Sequence, residues 1–265
     1  YRAFLDTCTS WESIEENTEL FICFGGVPLK NGQIAQGGTG SHKQKEKLIR
    51  SANAGIKFIN FSPLKSDLLD EVNGEWLALR PNTDVAIMLG LAHTLYKEKL
   101  YDDKFIKKYT EGFEAFLPYL QGDIDGIVKD ASWASSISEI PSEKIISLAK
   151  EMSSKRTMIS VSWSLTRQDH GEQPFWAAIM LASMVGQIGL PGGGFGFGYS
   201  ATNHIGGQFS IIPGAAFPQT ENKIDDFIPV ARISDLLLNP GGSFDFDGKE
   251  YKLSLIHISE PTRHT

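Results

Sequence analysis

Apolar and polar positions fall into two rhythms along the chain: short solid apolar runs, and longer stretches at helical spacing. Glu19–Gly25 (ELFICFG) is an apolar run ending in a glycine pair, the pattern of a strand buried on both faces of a parallel sheet. Before it, the segment from Ser10 to Glu16 reads as a short capped helix. Lys45–Ala54 has helical spacing and meets Gly55, a residue suited to the left-handed position after a helix. Ile56–Phe61 (IKFINF) then predicts a second strand, broken at Ser62-Pro63, and Glu75–Leu79 a short third one. Asn82-Thr83-Asp84 reads as an N-cap that opens a helix over Val85–Tyr96. Residues 101–155 read as mostly helical, with Phe105, Ile106, Tyr109, Phe113, Phe116 and Tyr119 as core candidates. Pro141-Ser142-Glu143 opens another helix there. Thr157–Trp163 is a fourth strand and Phe175–Met184 a helix. The repeated order of helix, glycine, strand and turn predicts an α/β fold. Its form is a doubly wound, mostly parallel, Rossmann-like sheet with helices on both faces and a loop-rich C-terminal segment.

Past that helix the pattern changes. Leu181–Gly198 places six glycines among its last ten residues, which predicts a chain folded tightly past something bulky. Neither G-x-G-x-x-G nor G-x-x-x-x-G-K-[ST] occurs, so a conventional NAD site or a P-loop is a poor reading. Tyr199–Asp226 reads as a long polar loop, Ile228–Leu238 as helical, and Phe244–Leu253 as a hairpin turning at Asp247-Gly248. The expected organisation is a nucleotide-binding domain over 1–198 and a loop, helix and hairpin leading to a neighbouring domain over 199–253. Residues 254–265 (SLIHISEPTRHT) break the composition and resemble a translated sequencing adapter. They read as a non-native tail, in whose place the authentic chain is expected to continue beyond Leu253 in another sequence.

The 265 residues carry a net charge of −7 with no basic block, which argues against nucleic acid as a partner. No apolar run reaches the roughly 18 residues of a spanning helix, so direct membrane insertion is not expected. Cys8 and Cys23 make neither a four-cysteine site nor a C-x-x-C motif, and read as small buried hydrophobes. The six histidines lack metal-ligand spacing, so no metal site is expected within these residues. His93 reads as structural, and His170 as facing a ligand or starting a helix. No residue presents itself as nucleophile or general base, and the catalytic residues stay unknown.

Ligands of open α/β sheets sit at the carboxyl ends of the strands. Four turns are therefore candidates: Gly25–Asn31, Ser62–Ser66, Pro81–Asp84 and Ser162–Gln168. They supply Lys30, Lys65, Arg167 and several hydroxyls, a set suited to phosphate or pyrophosphate. Asp84 suits a guanine or ribose edge, because a carboxylate accepts from paired donors.

The helix Asn82-Thr83-Asp84-Val85-Ala86-Ile87-Met88-Leu89-Gly90 with Leu91-Ala92-His93-Thr94-Leu95 resembles that of the dimethyl sulfoxide reductase family of molybdenum enzymes. So do His170-Gly171-Glu172-Gln173 and the run from Leu181 to Gly196. The nearest branch is that of trimethylamine N-oxide, dimethyl sulfoxide and biotin sulfoxide reductases, and the likeness runs from about Thr9 to Leu253. The resemblance implies an internal fragment of a large oxotransferase that holds a bis(molybdopterin guanine dinucleotide) molybdenum cofactor. Such an enzyme reduces an N-oxide or S-oxide to amine or sulfide plus water. A formate- or nitrate-type oxidoreductase is the alternative, and the isolated fragment is expected to be an inactive cofactor-binding domain. An electron-donor protein of the cytochrome c type and a periplasmic location are expected, with the cytoplasm as second choice.

Carried over position by position, the resemblance puts Lys30 near the pterins and Ser62, Lys65 and Ser66 at one guanosine arm. Asn82 and Asp84 fall in the guanine-reading segment, and Trp163 and Arg167 in a loop near the pterin and the substrate funnel. The chain departs from the family where Asp-Pro-x-Arg becomes Ser62-Pro63-Leu64-Lys65. Lysine does not reproduce the two-pronged donor set of arginine. Gly-Trp-Ser-x-Gln-Arg likewise becomes Ser162-Trp163-Ser164-Leu165-Thr166-Arg167, which puts the glutamine contact in doubt. At the first turn, the family's Trp-Gly/Ala-Ala/Ser-Asp is replaced by Phe24-Gly25-Gly26-Val27. The serine that ligates molybdenum in this branch would lie before Tyr1.

Overall fold

The computed structural model describes residues 8–33, 41–199, 201–207, 217–218, 229–246 and 248–252. Contacts divide the chain into two compact units, Tyr1–Ser210 and Ile211–Thr265.

The first unit is built on a five-stranded parallel sheet. Its strands are β1 (Leu20–Phe24), β2 (Lys57–Phe61), β3 (Glu75–Leu77), β4 (Thr157–Val161) and β5 (Gly194–Phe197). They lie in the order β3-β2-β1-β4-β5. The chain leaves β1 in one direction for β2 and β3, then returns to the other side of β1 for β4 and β5. The strand order therefore reverses between β1 and β4, the place where α/β sheets open a crevice at their carboxyl ends.

Each strand shows opposite faces to two layers. Leu20, Ile22, Phe24, Ile59, Phe61, Ile159 and Val161 pack with one group of helices. These are α4 (Asp84–Lys97), α7 (Ala131–Ser138), α8 (Ser142–Ser154) and α9 (Gln173–Val185). Phe21, Cys23, Phe58 and Met158 pack on the other face, against Trp11 and Ile14 of α1 (Trp11–Asn17) and Leu48 of α3 (Gln44–Asn53). All five residues of β1 are buried, as the solid apolar run required. α2 (Leu29–Gly32) follows β1, while α5 (Asp103–Tyr109) and α6 (Phe113–Gln121) follow α4. The sheet is thus the doubly wound α/β layer that the apolar rhythm predicts.

The local grammar also holds in detail. Ser10 caps α1 by accepting from the Ser13 amide at 3.2 Å. Gly55 follows α3 at φ +95°. α4 opens at Asp84 after Thr83, but no side chain caps it; Thr83 Oγ1 donates to the Arg80 carbonyl at 2.6 Å instead.

Other expectations need correction. β5 falls in the glycine segment that pattern reading takes for a close-packed turn. The bulky neighbours of that segment belong to the chain itself. A Cβ on Gly196 would collide with the Tyr199 ring, and one on Gly198 with the Trp163 indole. Two core candidates are exposed, Tyr109 at 63% and Tyr119 at 38%, because α5 and α6 bury chiefly Ile106 and Leu120. Cys23 is buried but Cys8 is only partly so, and neither forms a disulfide among the described residues.

Most of the expected loop from Tyr199 to Asp226 lies outside the described residues. Its first part, 201–207, is a run of turns packed into the core through Ile205, with Thr202, Asn203 and His204 buried. In the second unit, α10 (Ile233–Leu238) precedes an antiparallel hairpin of β6 (Ser243–Phe246) and β7 (Lys249–Lys252). Gly248 is at φ +73° in its turn; Ile228, Asp247 and the tail 254–265 lie outside the described residues.

Candidate functional site

Because the strands are parallel, the turns after β1, β2, β3 and β4 emerge along one rim. Three strand spacings separate the outermost two, roughly 14 Å. Backbone bonds knit this rim together. Gly25 N donates to the Phe61 carbonyl at 2.8 Å, Ser162 N to Phe24 at 2.8 Å, and Val27 N to Asp67 at 2.7 Å. The glycine pair is needed for that closeness. At Gly26, φ +71°, a Cβ would stand 2.5 Å from the Asp67 carbonyl oxygen, and at Gly25 it would stand 2.8 Å from Ser162 Cβ.

The eight sequence-derived candidates all lie along this rim, in different states. Ser62 is fully buried and engaged: its hydroxyl donates to Asp67 Oδ2 at 2.6 Å and its carbonyl accepts from Trp76 Nε1 at 2.8 Å. It shapes the turn and presents no free hydroxyl. Lys65 and Ser66 are exposed, and Lys65 stands 3.6 Å from Asp70. Asn82 is exposed at φ +65° just before α4. Lys30 and Arg167 are exposed and form no ion pair among the described residues. Trp163 is half-buried in a 3-10 turn over residues 163–166, its indole against Gly198.

Asp84 is the electrostatic outlier. It is 4% exposed, and burial pushes its carboxyl up to about 7, against a smaller opposing effect of its own backbone amide. A helix N-terminus favours a carboxylate, yet desolvation prevails. A ligand presenting paired N–H donors to Asp84 would restore the charged form.

Two further residues escaped the sequence reading. Asp67 is the partner of both Ser62 and Val27 and so organises the rim. Asn60 is 1% exposed, and both its amide atoms lack partners among the described residues. A polar residue inside the apolar run IKFINF was the available signal. His93 is half-buried, with its pKa lowered by burial, in keeping with a structural role. His170 is exposed at φ +53°, beside Asp169 and Glu172. Among the described residues no group of three or more His, Cys, Asp or Glu could hold a metal ion.

The rim thus gathers exposed cations, backbone amides and one buried carboxyl along one edge of the sheet. The class this defines is a doubly wound α/β domain with a polar rim at the carboxyl ends of its strands. The chain belongs to the molybdopterin oxidoreductase family, whose model matches residues 6–244. It is 46% identical over 247 residues to the biotin sulfoxide reductase of Cereibacter sphaeroides, covering 93% of this chain and 33% of that protein. It is 41% identical over 260 residues to the dimethyl sulfoxide/trimethylamine N-oxide reductase of Rhodobacter capsulatus, covering 92% and 31%. To the trimethylamine-N-oxide reductase of Haemophilus influenzae it is 41% identical over 253 residues, covering 91% and 30%. The chain thus spans about a third of the length of these curated relatives. Among solved structures, acetylene hydratase from Pelobacter acetylenicus shares the fold, with a TM-score of 0.51 at 20% identity over 68% of this chain and 22% of that one.

The family implies a molybdenum–molybdopterin cofactor, and the rim suits its organic part. Lys30, Lys65 and Arg167 carry unneutralised or weakly paired charge suited to phosphate, and Asp84 is a buried carboxyl suited to accept from paired donors. The described residues offer no direct ligand set for the metal.

Proposed function

We propose that the full-length protein is a molybdenum-dependent oxotransferase reducing an N-oxide or S-oxide, and that this chain grips one guanosine arm of a bis(molybdopterin guanine dinucleotide) cofactor. When bound, that cofactor supplies the two-electron chemistry, in which the oxide oxygen leaves as water with two protons. The chain's own residues bind and orient: Lys30 and Arg167 face the pterin and phosphate charge, Lys65 and Ser66 the guanosine turn, and Asn82 with Asp84 the guanine edge. Trp163 walls the end of the β4 turn. The observation that carries this reading is the 46% identity to a sulfoxide reductase over 93% of the chain. All four rim turns lie within the family match.

A sulfoxide is the first substrate to try, since the identity to the biotin sulfoxide reductase exceeds the 41% shared with the two reductases of amine oxide or dimethyl sulfoxide. We place the protein in the periplasm, served by a cytochrome c-type donor, as an extension of its resemblance to the amine oxide reductases. The test is purification of the full-length protein, metal analysis, and release of the nucleotide by acid hydrolysis. Molybdenum together with two guanosine 5′-monophosphates per protein is expected, with viologen-driven reduction of biotin sulfoxide, dimethyl sulfoxide or trimethylamine N-oxide. A holoenzyme that reduces none of these but oxidises formate or reduces nitrate overturns the substrate class. Release of no guanine nucleotide overturns the cofactor form. Cell fractionation checks the compartment.

A further inference from the structure

A second concave surface of the first unit, apolar where the rim is polar, begins beside the rim and runs away from it along one helix. It is an open cleft of about 880 Å³ along the outer side of α9, closed on the far side by α5 and α6. Trp176, Ile179, Met180 and Ser183 line it at the spacing of one helix face, opposite Phe105 and Tyr109. Glu111 is its one charged lining residue. Trp176 is 71% exposed, Tyr109 63%, Leu190 43% and Ile179 39%. Apolar side chains exposed singly are ordinary, but a contiguous groove of them marks a surface that another element covers.

We infer that this cleft receives a further segment of the same polypeptide: an apolar ridge, helical in size, from outside residues 1–265. The inference rests on the functional reading above, in which this chain is one part of a longer enzyme. Three observations select that occupant. The chain spans about a third of the length of its relatives, so the bulk of such a polypeptide lies elsewhere. α9 begins a few residues after Arg167, so the cleft starts beside the rim where the rest of the enzyme completes the cofactor site. The nearly uncharged lining suits a permanent apolar contact, whereas a transient partner would meet a more polar surface.

The test places a cysteine at the exposed end of the groove, Trp176→Cys, in both the 265-residue chain and the full-length holoenzyme. Maleimide labelling is followed against the parent proteins. The side chain is mostly solvent-exposed, so the substitution leaves folding of the chain intact. Fast labelling in the chain and at least tenfold slower labelling in the holoenzyme is expected. Ile179→Cys, one turn along, should repeat the pattern. Equal rates in both proteins overturn the inference and leave a ligand cleft or an open surface. Slow labelling in the chain that speeds up on dilution also overturns it, since a second copy is then the occupant. Trp176→Asp adds an independent reading, a fall of at least about 3 °C in the Tm of the holoenzyme with none in the chain. Should the full-length protein carry no molybdopterin and still protect the introduced thiol from the label, the functional reading fails and this one stands.

Discussion

The rim and the cleft of the first unit differ in almost every physical respect. The cleft is apolar and nearly free of charge, and it is bordered by helix faces. The rim consists of turns joined by backbone hydrogen bonds, with cations standing outside and one carboxyl held within. Cavity size alone would choose the cleft as the functional centre. The proposed function rests on the rim instead, because a phosphate-bearing cofactor is held by donors and charges and only secondarily by enclosed volume. The comparison also separates what is finished from what is not. The rim glycines already touch their neighbours, while the Trp176 indole of the cleft meets solvent.

The largest effect tests whether the rim can work alone. The purified 265-residue chain should reduce trimethylamine N-oxide and dimethyl sulfoxide no faster than buffer, and retain no molybdenum after gel filtration, because the described residues contain no cluster of three or more His, Cys, Asp or Glu that could hold a metal ion. Viologen-linked turnover by the chain would break the division of labour proposed between the rim and the remainder of the enzyme. In the holoenzyme, Arg167→Ala and Lys30→Ala should each weaken cofactor retention by at least about tenfold, the worth of one charge-assisted contact. Chain stability should not change, since both side chains are exposed. Molybdenum content after dialysis reads the difference.

Next in size is the buried carboxyl of the rim. Asp84 ionises near 7 in the folded chain against 3.8 as a free carboxyl. Below about pH 3.8 it costs nothing. As pH rises toward 7 the folded form holds the proton that the unfolded form gives up, so stability falls, at about 1.4 kcal/mol per pH unit. The accumulated loss above pH 7 is on the order of 4 kcal/mol, and Asp84→Asn should recover roughly half or more of it at pH 8 and none at pH 4. Urea unfolding at the two pH values measures it. Equal gains at both would mean that some feature other than ionisation governs this position.

The sheet was legible because its strands announce themselves. Leu20–Phe24 is a solid apolar run and Thr157–Val161 an apolar run interrupted by two hydroxyl residues, every residue of both being buried, and Gly55 stands where the preceding helix must stop. The rim was legible for the same reason, since the carboxyl end of a recognised strand locates a turn without further information. β5 was not, because alternating glycines carry no apolar periodicity; its partners are the rings of Tyr199 and Trp163, set by tertiary contact. Tyr109 and Tyr119 show the reverse failure. Helical spacing marks the face an aromatic occupies, but only neighbouring elements decide whether that face is covered. Asp67 and Asn60 were overlooked as polar residues near or inside apolar runs. The first organises the rim and the second is buried without a partner.

Two glycines sharpen the contrast at moderate cost. Gly26 on the rim and Gly189 on the cleft both have positive φ, +71° and +86°, but a Cβ at Gly26 meets the Asp67 backbone at 2.5 Å while one at Gly189 meets nothing within 4 Å. Gly189→Ala should therefore cost only the left-handed conformation, about 1–2 kcal/mol. Gly26→Ala adds a clash with backbone that cannot rotate away, for about 3 kcal/mol in all, by the scale of overpacking. Denaturant midpoints at constant m-value compare the two. Equal costs would mean that the β1 and β2 turns are not packed together as described.

The smallest effect is the most discriminating for the cleft. In the 265-residue chain Trp176→Ser removes an indole that is 71% exposed and makes no aromatic stacking contact among the described residues. Its loss should change stability by no more than about 0.5 kcal/mol. A core residue of the same helix, Leu181, is fully buried, and Leu181→Ala should cost roughly 2–5 kcal/mol. If Trp176→Ser approached that range in the chain itself, the indole would already be covered and the cleft would have nothing left to receive. A neutral result locates the energy of that tryptophan outside these residues, in the surface that meets it once the longer polypeptide is assembled.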